Sequence, residues 1–137
     1  MIVHIFEIVL AWMHILAPAR NVDAIAWAVA SVAESREEAA LITAVAYRES
    51  GFDNSAVGDH GQSVCAMQIH GGPRSLLEDV GACVRRGTIM LRESRRVDPA
   101  NPVAQYARGP RWQTEEARRI SRDRVALSRR LLALVLP

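Results

Sequence analysis

Apolar residues recur at helical spacing over most of this chain. Between Met1 and Ala19, Ile2, Ile5, Phe6, Val9, Leu10, Met13 and Leu16 share one face, with His4, Glu7 and His14 interrupting the apolar run. That is the pattern of an amphipathic helix packed on a core. Pro18 ends it, and Asn21 or Asp23 can cap a second helix through Ala24 to Val32. A third helix is predicted over Arg36 to Glu49, with Leu41, Ile42, Val45 and Ala46 as its apolar stripe. Ser35 is placed to cap its start, Glu37 and Glu38 lie where the helix dipole favours negative charge, and Gly51 stands where it should stop. Periodicity then disappears. From Ser50 to Ile69, with Gly51, Gly58 and Gly61, the chain reads as a turn-rich loop holding short strands at most, closed by Gly71-Gly72-Pro73. Helical spacing returns from Leu76 to Arg95, breaks at Asp98 to Pro102, and resumes in a long helix from Thr114 to Leu136 with Thr114 as its cap.

A chain of 137 residues, half of them hydrophobic and 5% aromatic, suits one mainly α domain with its own core, and no internal repeat divides it. Because no positively charged segment precedes the first apolar run, residues 1–19 read as a structural helix rather than a signal peptide or a membrane span. The formal charge is only +2, but it is unevenly spread: residues 1–60 carry three arginines against eight acids, and residues 108–130 carry eight against three. All 17 basic residues are arginine. In the basic C-terminal helix over 114–136, Arg118, Arg119, Arg122, Arg124, Arg129 and Arg130 surround a stripe of Ile120, Leu127, Leu131, Leu134 and Val135. A solvated helix resting on the core is expected there, with adhesion to an anionic cell wall or to nucleic acid as the sharper alternatives. No nucleic-acid partner is expected.

The candidate chemistry begins at Glu49. It falls three and four residues after Ala46 and Val45, so the third helix directs it with the core face, where lost hydration disfavours the charged form and suits a general acid. Asp53 and Asp59 are the acids nearest in sequence on the following loop, each a candidate second carboxylate, though the turn-rich setting favours a turn residue at both positions. Ser50 has no recognisable His and Asp partners and reads as a positioning residue. His60 and His70 flank the loop without further ligands at metal spacing, so neither metal nor cofactor is expected. Cys65 and Cys83 lie eighteen positions apart: either a disulfide staples the loop to the next helix, or both are buried thiols.

Three segments, in order, carry a family resemblance. Glu49-Ser50-Gly51-Phe52 resembles the Glu-Ser pair and following aromatic at the catalytic helix end of soluble lytic transglycosylases and goose-type lysozymes. Ser63-Val64-Cys65-Ala66-Met67-Gln68 resembles that family's Ser-x-Gly-Leu-Met-Gln segment, and Tyr106-Ala107-Arg108-Gly109 its Tyr-x-x-Gly element. The approach Asp59-His60-Gly61-Gln62-Ser63 is similar to phage and plasmid members. The resemblance covers about residues 35–112, and departs from the usual pattern at Cys65, Ala66, Ala107 and Arg108. It implies a monomeric, lysozyme-like, mainly helical domain with a sugar-binding cleft and a small β element after the catalytic helix. It also implies peptidoglycan glycan strands as partner, Glu49 as acid and then base, and Ser50, Ser63, Met67, Gln68 and Tyr106 as substrate-binding residues. The product would be a 1,6-anhydromuramic end, with ordinary hydrolysis by a muramidase, or a basic helical binding protein, as the alternatives. Such a substrate places the action in the cell wall or periplasm, reached by export, on a virion or after lysis. An oxidising compartment of that kind favours the Cys65–Cys83 bridge.

Overall fold

Seven buried side chains in a row of eight, Ala39, Ala40, Ile42, Thr43, Ala44, Val45 and Ala46, leave helix Arg36–Ser50 (α3) covered on almost every side. Alanine allows this, since small side chains let neighbouring helices approach closely. In the computed structural model, which describes residues 2–136, α3 is the central helix. Ile2–Leu16 (α1) and Glu115–Ala133 (α6) pack on it, and Asp23–Val32 (α2) joins α1 to Val80–Val97 (α4). A short helix, Ala104–Arg108 (α5), is wedged between α4 and α6. The described residues thus form six α-helices and one small antiparallel sheet, a mainly helical architecture. No helix among them is long and apolar enough to cross a membrane.

Both ends of α3 close as their residues require. The Ser35 hydroxyl accepts from the Glu38 amide at 3.0 Å, and the Glu38 carboxylate reaches back to accept from the Glu34 amide at 3.0 Å, a near-reciprocal cap. At the other end Gly51 takes φ 63°, the left-handed conformation that glycine adopts freely, and donates to Tyr47 O.

Four boundaries differ from expectation. The stretch expected to be one helix from Leu76 begins as a 3₁₀ turn, Arg74–Glu78, because Asp79 captures the Ala82 amide at 2.9 Å and starts α4 afresh. The second helix is preceded by Val22 without a side-chain cap; Asn21 Oδ1 instead accepts from the Asp23 amide at 3.3 Å. In α1 the buried residues are Ile5, Val9, Trp12 and Met13, while Ile2 in its first turn is 47% exposed. The last helix, capped by the Thr114 hydroxyl on the Ala117 amide, stops at Ala133, so Leu134 and Val135 do not extend its buried stripe and Val135 is 98% exposed.

Between α3 and α4 the chain forms a meander of two-residue strands, Val57–Gly58 (β1), Ser63–Val64 (β2) and Ile69–His70 (β3), in the order β1-β2-β3. Val57 faces Val64, and Ser63 faces both Gly58 and His70. So small a sheet would not stand alone in water. It is held by the Cys65–Cys83 disulfide to α4, which closes a loop of a length that contributes about 3 kcal/mol in the chain-entropy view. Asn54 is a second tie: its side-chain amide donates to Leu76 O and Leu77 O at 2.9 and 3.2 Å and its oxygen accepts from the Ala66 amide at 3.1 Å. Gly87, mid-helix in α4, makes the third possible, since a Cβ there would lie 2.8 Å from Met67 Cε.

Candidate active site

The last turn of α3, the β meander, α5 and the middle of α6 converge on one cleft of about 930 Å³, within the range of small-ligand sites. Glu49, Asp59, Ser63, Gln68, Tyr106 and Arg124 are among its lining residues. Glu49 comes from the buried helix, and its side chain is 23% exposed. Burial is the largest influence on its carboxyl and holds it above the ordinary glutamate range; Arg124 opposes that, Asp59 adds to it, and Arg108 opposes it again. A carboxyl so placed keeps its proton to higher pH than a surface glutamate, which is what proton donation near neutrality needs.

The other expected residues divide into those that reach the cleft and those that build it. Gln68 lines it, at φ 50°, with Nε2 donating to Ala56 O at 3.1 Å and Cys65 O at 3.0 Å, so its amide ties β1 to the turn it ends. Ser63 is buried, and its hydroxyl donates to Asp59 Oδ2 at 2.5 Å with His70 Nδ1 3.5 Å away. Tyr106 enters from α5 and donates its hydroxyl to Met67 O. That hydroxyl is thus engaged with the backbone; burial first, and the nearby Glu49 charge second, keep the phenol far from ionising. Met67 is wholly buried against Gly87, beneath the cleft rather than in it.

Substrate binding by Ser50 is corrected in favour of its positioning role, and of the two readings of Asp53 the turn residue holds. Ser50 does not face the cleft: its hydroxyl donates to Ala66 O at 2.8 Å and accepts from the Asp53 amide at 3.1 Å, spanning helix end and loop. Asp53 is a turn residue, accepting from the Ser55 amide and hydroxyl at 2.9 and 2.6 Å and lying 3.8 Å from Arg20 on the outer surface. Asp59, by contrast, lines the cleft along with Glu49. Its bond from Ser63 fixes one carboxylate oxygen toward β2.

No family model, curated protein or solved structure matches this chain. Site geometry therefore carries the functional case. One feature of that geometry is backbone strain: the non-glycine residues at positive φ are Phe52, Asp59, His60, Cys65 and Gln68, all within the segment that builds the cleft. Such conformations cost energy and persist where surrounding contacts impose them. Among the described residues, no cluster of three or more His, Cys, Asp or Glu side chains could hold a metal ion.

Sequence reasoning passed over Arg124. Among the otherwise solvated arginines of α6, its side chain is only 17% exposed and Nη2 lies 3.8 Å from Glu49 Oε1. A signal was present, since Arg124 follows Ile120 by four and precedes Leu127 by three, on the inward stripe itself.

Proposed function

We propose that this protein is a peptidoglycan lytic transglycosylase with a lysozyme-like fold, cutting the β-1,4 bond between N-acetylmuramic acid and N-acetylglucosamine. The observation that carries this is the convergence of Glu49, Gln68 and Tyr106, from three separate stretches of sequence, on one cleft, with burial raising the Glu49 carboxyl above its ordinary range. Glu49 would protonate the glycosidic oxygen as the bond to the sugar's C1 breaks. The muramic C6 hydroxyl then attacks C1, its proton passes to the Glu49 carboxylate, and a 1,6-anhydro end forms without consuming water. Tyr106, by holding the Met67 carbonyl, braces the Gln68 turn against α5, and Gln62, Gln68 and Gln105 offer amide groups to sugar hydroxyls and N-acetyl groups. Action in the cell wall or periplasm follows from that substrate.

A hydrolytic muramidase is the second reading, favoured by one observation: Asp59 shares the cleft and its charge reaches Glu49. A second carboxylate could stabilise the oxocarbenium-like centre or direct water at it. Digestion of purified peptidoglycan, with muropeptide ends weighed by mass spectrometry, decides between them. Ends one water lighter than reducing ends, absent with Glu49→Gln, support the transglycosylase; ordinary reducing ends lost in Asp59→Asn support the hydrolase. No release by the wild type would sink both and leave a basic binding protein, whose attachment to walls should weaken steeply with salt.

A further inference from the structure

Arg124 carries a charge at a position where α6 otherwise faces inward. A guanidinium stays ionised at any pH the protein meets, and burying it is costly unless its donors find acceptors. Its Nη1 donates to Asp123 Oδ2 at 2.8 Å, its Nε is buried without a hydrogen-bond partner, and its Nη2 stands 3.8 Å from Glu49 Oε1. Asp123 also accepts from Arg48 Nε at 3.1 Å. The carboxylate that orients Arg124 is thus held by the residue immediately before Glu49, and alternating charges run Arg48, Asp123, Arg124, Glu49 across the α3–α6 contact. The final gap is too long for a hydrogen bond and short enough for a charge to be felt strongly.

We propose that Arg124 is a positioning residue for Glu49, keeping in place the positive charge that the carboxylate requires once its proton has moved to the glycosidic oxygen. The inference rests on the acid-then-base role proposed above. Before donation Glu49 is neutral and needs no partner, in keeping with the 3.8 Å gap. As the proton leaves, negative charge develops on a side chain that is mostly buried, and a cation already at contact distance stabilises it with little reorganisation. Asp123 has the opposing task. Shared with Arg48, it draws the guanidinium along α6, so that Arg124 does not close into a two-bonded pair that would hold Glu49 ionised and leave no acid to donate.

The remaining charged and titratable groups toward Glu49 are Asp59 from the β1–β2 turn and Tyr106 and Arg108 from α5, with Arg48 on its own helix and His60, His70 and Arg111 in the same cleft. Arg108 is engaged with Glu116 at 2.9 Å and Arg48 with Asp123. Among the described residues, Arg124 is the cation within 4 Å of Glu49.

The test is the titration of Glu49 in the full chain by carbon-13 NMR of the glutamate carboxyls, using Glu49→Gln to assign its resonance, beside pH profiles of peptidoglycan cleavage. Arg124→Met should move the Glu49 midpoint to higher pH, Arg124→Lys should leave it near wild type, and Asp123→Asn should move it lower, because the freed guanidinium turns to Glu49. Cleavage by Arg124→Met should fall about tenfold on its plateau, as expected for a weaker acid, while its alkaline limb moves up. A merely loosened structure would lose rate with the limb in place. An unmoved midpoint in folded Arg124→Met, or in Arg124→Gln should the first not fold, overturns the proposal. Midpoints that move as expected in a protein that cleaves nothing would uphold the charge coupling and remove the function assigned to Glu49, so the two failures are told apart.

Discussion

The two ends of α3 each hold a glutamate beside an arginine from another helix, and the two pairs behave oppositely. At the N-terminal end, Glu38 is 9% exposed and accepts from Arg92 Nη2 at 2.7 Å and Nε at 3.0 Å, while the same Nη2 also donates to Val32 O at 3.0 Å. The hydrogen bond from Arg92 outweighs burial and lowers the Glu38 carboxyl below its ordinary range. At the C-terminal end, Arg124 stands off at 3.8 Å, burial outweighs it, and the Glu49 carboxyl is raised. The helix dipole works in the same direction at each end, favouring the anion at Glu38 and opposing it at Glu49. Residue type therefore decides neither outcome. Two aligned hydrogen bonds make a clamp that joins α3, α4 and the end of α2; their absence leaves a carboxyl that can give up and regain a proton.

The comparison is broken most directly at Glu49. Replacement by Gln should lower peptidoglycan cleavage by about 10²- to 10⁴-fold, the range for a positioned general acid. It should also raise thermal stability above the acid range. A raised carboxyl contributes stability that is complete below its unfolded value and lost as pH rises through the folded one, and Gln has nothing to lose there. Melts from pH 4 to 8 (about the span of interest for a glutamate) should show the variant gaining on wild type as pH rises. A variant less stable than wild type near neutral pH would make Glu49 a clamp like Glu38.

Glu38→Gln should do the reverse: a loss of roughly 1.5–3 kcal/mol near neutral pH, as for removing hydrogen bonds to a charged group, with no change in cleavage rate. A depressed carboxyl contributes stability that is present above its unfolded value and lost as pH falls through the folded one, so the deficit should shrink in acid. Denaturant unfolding at two pH values reads this, and a deficit independent of pH would assign the loss to packing rather than charge.

The smallest effects test the caps. Ser35→Ala should cost about 1 kcal/mol through the lost Glu38 amide bond and leave cleavage untouched. Gly51→Ala meets no atom within 4 Å, so its cost, also about 1 kcal/mol, is left-handed backbone alone. Because that strain falls two residues after Glu49, cleavage should drop with it. Equal kinetics for the two variants would show that the helix end is not what aims the carboxyl.

Five of the six α-helices among the described residues, both caps of α3, the turn-rich segment and the inward direction of Glu49 were legible in the sequence; α5, five residues with no full apolar period, was not. The legible features depend on local rules: spacing on a 3.6-residue period, a hydroxyl three residues before an amide, a glycine where φ is positive. Other features depended on distance in space. The C-terminal helix was legible as amphipathic, but nothing local says that Arg124 on its stripe meets Glu49, 75 residues earlier in the chain. Asp53 and Asp59 were equivalent as loop acids, and only the fold turns one out to Arg20 and the other into the cleft. Likewise Ser50 and Tyr106 bear hydroxyls whose acceptors, the Ala66 and Met67 carbonyls, lie on a loop folded across them. The long helices and the carboxyl that faces the core are set by the sequence alone, because they follow from neighbours within two turns, whereas the short α5 is not. Whether a buried carboxyl is clamped or kept ready for a proton was decided by tertiary structure alone, because it turns on about 1 Å of separation from a cation on another helix.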